Sequence, residues 1–244
     1  MLLTEPDEPL SAFVQAIWSA QVHNDEPVRK PLFADAGSGI IFNLCGEVTI
    51  GEVSLPEGVI MLPSQHRAEM ITLTAGARLC GIRFHPAIGF GVLGRHYDQP
   101  TVLNRDEDQL YNLYGIYSAL RDINETTGLI EALAAWTACS LDFTNVIPDD
   151  LEVALDSIRQ GQTLGKLDEL TKISHRHVER HFKRWLGMTP KHYQRVLRIK
   201  KAIYHLRHCK DASLADVAHQ FGFSDQAHMT REFRAIARIT PGQV

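Results

Sequence analysis

The chain is poor in cysteine: four in 244 residues, at positions 45, 80, 139 and 209, with no two forming a CxxC pair. Structural zinc sites usually take closely spaced ligand pairs, and disulfide scaffolds take dense cysteine, so neither organises this chain. Each cysteine is expected to be a small buried apolar residue in a reducing compartment. Long apolar runs are also missing, and nothing approaches the roughly 20 residues of a membrane-spanning helix. The opening MLLTEPDEPL is acidic and lacks the basic stretch of a secretory signal. A soluble cytoplasmic protein that does not engage membranes is therefore expected. His66 has no second histidine two residues away, although Glu69 is near, and His85 precedes Pro86 at a strand end. Both are read as structural or surface residues, and no metal or cofactor is expected.

The chain carries little net charge, −4, but that balance hides a polarised sequence. From Leu151 onward there are 17 Lys and Arg against 9 Asp and Glu, whereas the part before it holds 8 against 20. A basic C-terminal part is the electrostatic footprint of a polyanionic partner.

Within that basic part, Ser213 to Phe233 reads as two short helices joined by a tight turn. Ser213 is a candidate N-cap, with Asp216 three residues on. Leu214, Val217, Ala218 and Phe221 recur at helical spacing, and Gly222 suits a left-handed helix end. Ser224 is then a candidate cap for a second helix that buries Met229, Phe233 and Ile236. Gln226, His228, Thr230 and Arg231 lie between those apolar positions, and such groups hydrogen-bond base edges or phosphates.

The pattern occurs twice. Thr163, Leu164, Leu167, Ile173 and Ser174 precede Ser213, Leu214, Val217, Phe223 and Ser224 by 50 residues. After one inserted residue, Val178, Arg180, Phe182 and Thr189-Pro190 precede Met229, Arg231, Phe233 and Thr240-Pro241 by 51. Such a period marks two copies of one supersecondary unit. Between them, Thr189 to His208 reads as one long helix, capped by Thr189, with Pro190 at its first position and a stripe of Tyr193, Val196, Leu197, Ile203 and Leu206. Two outward second helices would then reach successive major grooves, about 34 Å apart.

Ser174 to Phe182 (SHRHVERHF), Gly187-Met-Thr-Pro190, GFSDQAH inside Ala218 to Phe233, and Thr240-Pro241-Gly242 together resemble the DNA-binding domain of AraC/XylS-type transcription regulators. Pro9 to Val14, Gly81 to Pro86 and the following Gly-rich segment resemble the sensor-like domain of one branch of those regulators. The resemblance implies an N-terminal sensing or dimerisation domain over 1–147 and a DNA-binding domain over 148–244. It also implies double-stranded DNA and RNA polymerase as partners, with a small-molecule effector or a homodimer acting through the N-terminal part. In the first unit the outward residues are His175, Arg176, Glu179, Arg180 and Lys183. By the resemblance, Arg176 and Glu179 reach base edges, where arginine favours guanine and glutamate accepts from cytosine. Arg180 and Lys183 either hold phosphate or form structural ion pairs. In the second unit the corresponding residues are Ser224, Gln226, Ala227, His228 and Arg231. Alanine meets only a thymine methyl, and Arg231 has Asp225 and Asp216 as alternative partners. Two positions depart from the family pattern: Asp168 stands where Ala218 does, and Lys172 where Gly222 does. Either the first turn is reshaped or that unit is less stable.

The N-terminal part reads as β-rich. Residues 9 to 22 form a first strand or short helix. Gly39 to Gly46 is a buried strand between glycines, and 48–53, 59–62, 70–73 and 77–84 are further strands. Trp18, Phe42, Met61, Phe84 and Phe90 are pocket candidates with core packing as the alternative. Residues 106–121 and 127–143 read as two helices, with Leu110, Leu113, Tyr114, Tyr117 and Leu120 on one stripe and Leu129, Ile130, Leu133, Trp136, Thr137 and Leu141 on the other. The pair either packs on the β structure or self-associates. Asn145 to Asp150 is the expected boundary. The expected class is α+β: a small barrel or sandwich with two following helices, then an all-α domain of two helix-turn-helix units joined by a long helix. The competing reading is an enzyme, either a β-barrel catalyst or a cysteine alkyl-acceptor domain fused to a DNA-binding domain.

Overall fold

The computed structural model describes residues 2–209 and 211–244; Met1 and Lys210 lie outside the described residues. The chain divides into two compact units. One holds 1–31, 37–64 and 70–146, and the other holds 32–36, 65–69 and 147–244.

The strands of the first part are β1 (Leu2–Thr4), β2 (Val14–Gln21), β3 (Val28–Leu32), β4 (Gly39–Cys45), β5 (Val48–Ile50), β6 (Val53–Leu55), β7 (Gly58–Leu62), β8 (Glu69–Leu73), β9 (Arg78–Phe84) and β10 (Thr101–Val102). They form a six-stranded sheet in the order β1-β2-β9-β4-β7-β10 and a four-stranded sheet in the order β3-β8-β5-β6. The two sheets share a core of Ile41, Ile60 and Leu79 from the larger and Val48, Ile50, Leu55 and Leu73 from the smaller. Of the barrel or sandwich expected, two sheets over a shared core are the sandwich-like form. The span 48–53, read as one strand, is instead the first half of a hairpin, turning at Gly51 with Val48 opposite Leu55.

β4 is buried along almost its whole length, because β7 and β9 flank it and both its faces are covered. Gly81 on β9 is required by close packing: a Cβ there would lie 2.7 Å from the Trp18 ring and 2.6 Å from the Ile40 carbonyl oxygen.

Three helices follow: α1 (Ile88–Leu93), α2 (Leu113–Arg121) and α3 (Thr126–Ser140). The sequence reading missed α1, since two glycines in six residues argue against helix. Gly91 is there for contact, as a Cβ would fall 2.0 Å from the Val146 carbonyl oxygen. α2 starts later than expected. The Asp108 carboxylate accepts from the Leu113 and Tyr114 amides at 2.8 and 2.6 Å, supplying the helix start with acceptors. Leu110 therefore stands outside the helix and is 67% exposed rather than on its buried stripe. α3 packs across β2 and β9, with Trp136 edge-on to Phe42 at 6.3 Å, so it covers the sheet.

The second unit contains α4 (Asp149–Arg159), α5 (Leu167–Thr171), α6 (His175–Leu186), α7 (Pro190–His208), α8 (Leu214–Gln220) and α9 (Gln226–Ile236). Its core takes Leu155 and Ile158 from α4, Val178, Phe182 and Leu186 from α6, Tyr193, Val196 and Ile199 from α7, and Val217, Met229 and Phe233 from α8 and α9. α7 is the long helix expected. Thr189 Oγ1 accepts from the His192 amide at 3.2 Å, and Pro190 fills the first position. Ile199 and Ala202 join its buried stripe, while Leu197 and Leu206 are half-buried. Segments 32–36 and 65–69 belong to this unit: the Ala68 amide donates to the Ile236 carbonyl at 2.6 Å, and Arg238 pairs with Glu69 at 2.8 Å.

Candidate nucleic-acid interface

The two repeats fold as two helix–turn–helix pairs, α5–α6 and α8–α9. In the second, Gly222 takes the left-handed conformation at the turn (φ 72°). In the first, Lys172 takes the same conformation (φ 59°) despite its Cβ. The turn geometry is thus kept, at a cost of roughly 1 kcal/mol. What changes is the helix before it. Residues 164–166 form a 3-10 turn and α5 starts only at Leu167, whereas α8 runs from Leu214. Asp168 is consequently exposed in the first turn of α5, where the amide dipoles favour a carboxylate, and Ala218 is buried.

The capping expectations need two corrections. Ser213 occupies the N-cap position of α8 but makes no side-chain cap bond. The cap of α9 is Asp225 rather than Ser224: its carboxylate accepts from the His228 amide at 2.6 Å. Asp outcompetes Ser here because an ionised acceptor bonds amides more strongly. That bond, offset in part by burial and helped by Ser224, Arg231 and His228, holds the Asp225 carboxyl below its ordinary pKa.

α6 buries Val178, Phe182 and Leu186, so His175, Arg176, Glu179, Arg180 and Lys183 fall on its exposed side. Arg176, Glu179, Arg180, Lys183 and Arg184 line one open recess, four cations with one carboxylate. His175 lies 3.9 Å from Glu179, and Arg180 reaches the His177 ring at 3.0 Å. On α9, Gln226, Ala227 and Arg231 are exposed, as is Ser224 before it, while His228 is half-buried. The His228 ring stands edge-on to Phe223, and its Nδ1 accepts from the Ser224 amide at 3.2 Å. A neutral ring in that state carries its proton on Nε2. His228 therefore presents a donor whose direction is set by its neighbours.

α9 is fastened to α7 by a bidentate pair, Arg195 to Glu232 at 2.7 and 3.0 Å. Burial pushes the Glu232 carboxyl up, but the Arg195 hydrogen bond and charge, aided by His228 and Arg198, outweigh it and leave the pKa below the ordinary value. Arg198 also lies over the Phe223 ring at 5.4 Å. The α7 helix, 19 residues, is about 28 Å long at 1.5 Å per residue.

The other candidates sit elsewhere. His66 Nε2 bonds the Leu186 carbonyl at 2.9 Å, and His85 Nε2 bonds the Ser11 carbonyl at 3.1 Å, so both rings serve the backbone. Phe42, Met61 and Phe84 are fully buried in the core. Cys80 is buried and its thiol is pushed up to about 12 by burial, with Arg78 pulling the other way. Cys45, Cys139 and Cys209 are exposed, contrary to expectation; Cys45 ends β4 and the other two lie at helix ends. One grouping was missed: Asp150, His177 and His181 come together. The histidine spacing of four on a helix was its only sequence signal.

Residues 169–244 match the family described as a helix-turn-helix domain. Residues 3–101 match a family described as a domain of unknown function (DUF6597). The HTH-type transcriptional activator RhaS of Escherichia coli strain SE11 is 41% identical over 76 residues, which is 31% of this chain and 27% of that protein. The same activator from strain K12 / DH10B is 42% identical over 72 residues, 30% of this chain and 26% of its own length. The chain thus spans about a quarter of these relatives. Among solved structures, ToxT from Vibrio cholerae O395 aligns over 93% of this chain and 95% of its own, at 12% identity and a TM-score of 0.47. Among the described residues, no helix is long and apolar enough to cross a membrane. Residues 169–244 thus form a helix-turn-helix domain that is similar to part of the RhaS activators.

Proposed function

We propose that this chain is a sequence-specific DNA-binding transcription regulator whose helices α6 and α9 enter successive major grooves. The observation that carries the reading is the doubled helix–turn–helix, each copy burying one face of its second helix and exposing a polar one. Residues 148–244 would form the DNA-binding domain and 1–147 a sensing or dimerisation domain. Arg176 and Glu179 on α6, and Gln226 and His228 on α9, are the base-reading candidates; Ala227 offers only a methyl contact. Arg180, Lys183 and Arg231 would supply phosphate contacts, and His175 and Ser224 flank the helix starts where phosphates are favoured. The local excess of positive charge would provide salt-dependent affinity. The length of α7 suits a spacer between helices one DNA turn apart. RhaS is described as an activator. A cytoplasmic location, double-stranded DNA and RNA polymerase as partners, and an effector or a homodimer interface in 1–147 complete the proposal. The buried, poorly acidic Cys80 gives the alkyl-acceptor alternative little support.

The test is capture of genomic fragments by purified full-length protein, repeated for Arg176→Ala and His228→Ala. Two sub-sites about one helical turn apart are expected, with each variant losing preference at one. Salt-sensitive capture with no enriched motif would refute the reading.

A further inference from the structure

Outside the exposed faces of α6 and α9, one cluster of side chains among the described residues combines metal-ligating chemistry with unmet bonding. Asp150 lies in the first turn of α4, and His177 and His181 stand four apart on α6, so they project from one side of that helix. One ligand atom from each residue lies within 4.8 Å of the others. His181 Nδ1 and Asp150 Oδ1 are 3.5 Å apart. Two ligands of a tetrahedral ion at 2.0–2.1 Å would be separated by about 3.4 Å, so this edge already has the required length. The third corner needs His177 to close by no more than about 1.4 Å, from a separation within 4.8 Å to about 3.4 Å, a side-chain adjustment open to a half-buried ring.

The two inner atoms also lack alternatives. Asp150 Oδ1 and His181 Nδ1 are out of solvent, and neither has a hydrogen-bond partner among the described residues. Out of solvent, such atoms are destabilising without a partner, and a cation between them would satisfy both.

We infer that Asp150, His177 and His181 form a binding site for a divalent transition metal, with zinc as its natural fit, that ties the start of α4 to the middle of α6. Two imidazoles and a carboxylate form a borderline donor set that suits zinc, nickel, copper or cobalt and is too nitrogen-rich for magnesium or calcium. Three protein ligands leave one position for water or a fourth donor. Arg180, whose guanidinium lies 3.0 and 3.3 Å from the two His177 ring nitrogens, must swing away when His177 turns to the metal. It is exposed and free to do so.

The test is equilibrium dialysis of the full-length protein against zinc chloride, with cobalt(II) absorption to report geometry. The chain has 12 histidines, so location must be tested as well as binding. One tight zinc per chain is expected, with affinity falling at least tenfold in His177→Ala, His181→Ala and Asp150→Asn and unchanged in His208→Ala. Because Asp150 and His181 are partly buried, His177→Ala is decisive if the others fail to fold. Zinc should also slow hydrogen exchange of α4 and α6 together in the wild type. Substoichiometric zinc, affinity unchanged in His177→Ala, or no added protection of α4 and α6 would each overturn the site.

Discussion

Replacing Glu232 with glutamine tests how α9 is held. Glu232 accepts two charge-assisted hydrogen bonds from Arg195, and its side chain is 14% exposed against 34% for Arg195. Bonds to charged groups contribute about 1.5–3 kcal/mol each when shielded, and a pair open to water far less. Arg195 is a third exposed, so screening takes the pair to about 2 kcal/mol for losing the carboxylate while keeping its shape. Hydrogen exchange of α7 and α9 amides in the full-length protein reads this directly, and 2 kcal/mol corresponds to about thirtyfold faster exchange. The exposed neighbour substitution Arg234→Ala should stay within threefold. The pH dependence has a definite sign. The carboxyl pKa is lowered on folding, so its contribution is present above the ordinary value of 4.5 and is lost as pH falls through the lower folded value. Wild type and Glu232→Gln should therefore converge in acid. A change below threefold at neutral pH, or a difference that persists in acid, would refute the reasoning.

Three further outcomes are expected. Gly222→Ala should destabilise the second unit by about 1 kcal/mol in urea melts, since a Cβ there meets nothing within 4 Å and only the left-handed backbone (φ 72°) resists it, while Lys172→Gly should be neutral to slightly stabilising. Thr189→Ala removes the cap that accepts from the His192 amide and should lower stability by about 1 kcal/mol, and Thr189→Ser should restore most of it. A thiol reagent should titrate Cys45, Cys139 and Cys209 in the native protein and reach Cys80 only on unfolding.

Local chemistry made much of this protein readable from sequence. The repeat, the Thr-Pro helix starts, the apolar spacing of α6, α7 and α9 and the outward position of Arg176, Glu179, Lys183 and Gln226 all follow from helical periodicity and capping, which act over a few residues. Most β strands were legible for the same reason, since glycines bound β4 and turn residues bound its neighbours. Readings failed where neighbours in sequence were poor guides to neighbours in space. α1 forms despite its glycines because Gly91 packs against the Val146 backbone. α2 begins late because Asp108 reaches forward to cap it. Asp168 and Ala218, equivalent in the repeat, part company because α5 starts in a 3-10 turn.

By itself, then, the sequence determined which segments are helices of a doubled helix-turn-helix and which side chains face outward, because those properties are set by residue period and charge. Only the tertiary structure decided which groups meet across the fold. Arg195 finds Glu232 37 residues away, and Asp150 arrives beside His177 and His181 through the packing of α4 on α6. Helix-on-helix geometry, summed over many side-chain contacts, selects such meetings, and no short stretch of sequence carries that information.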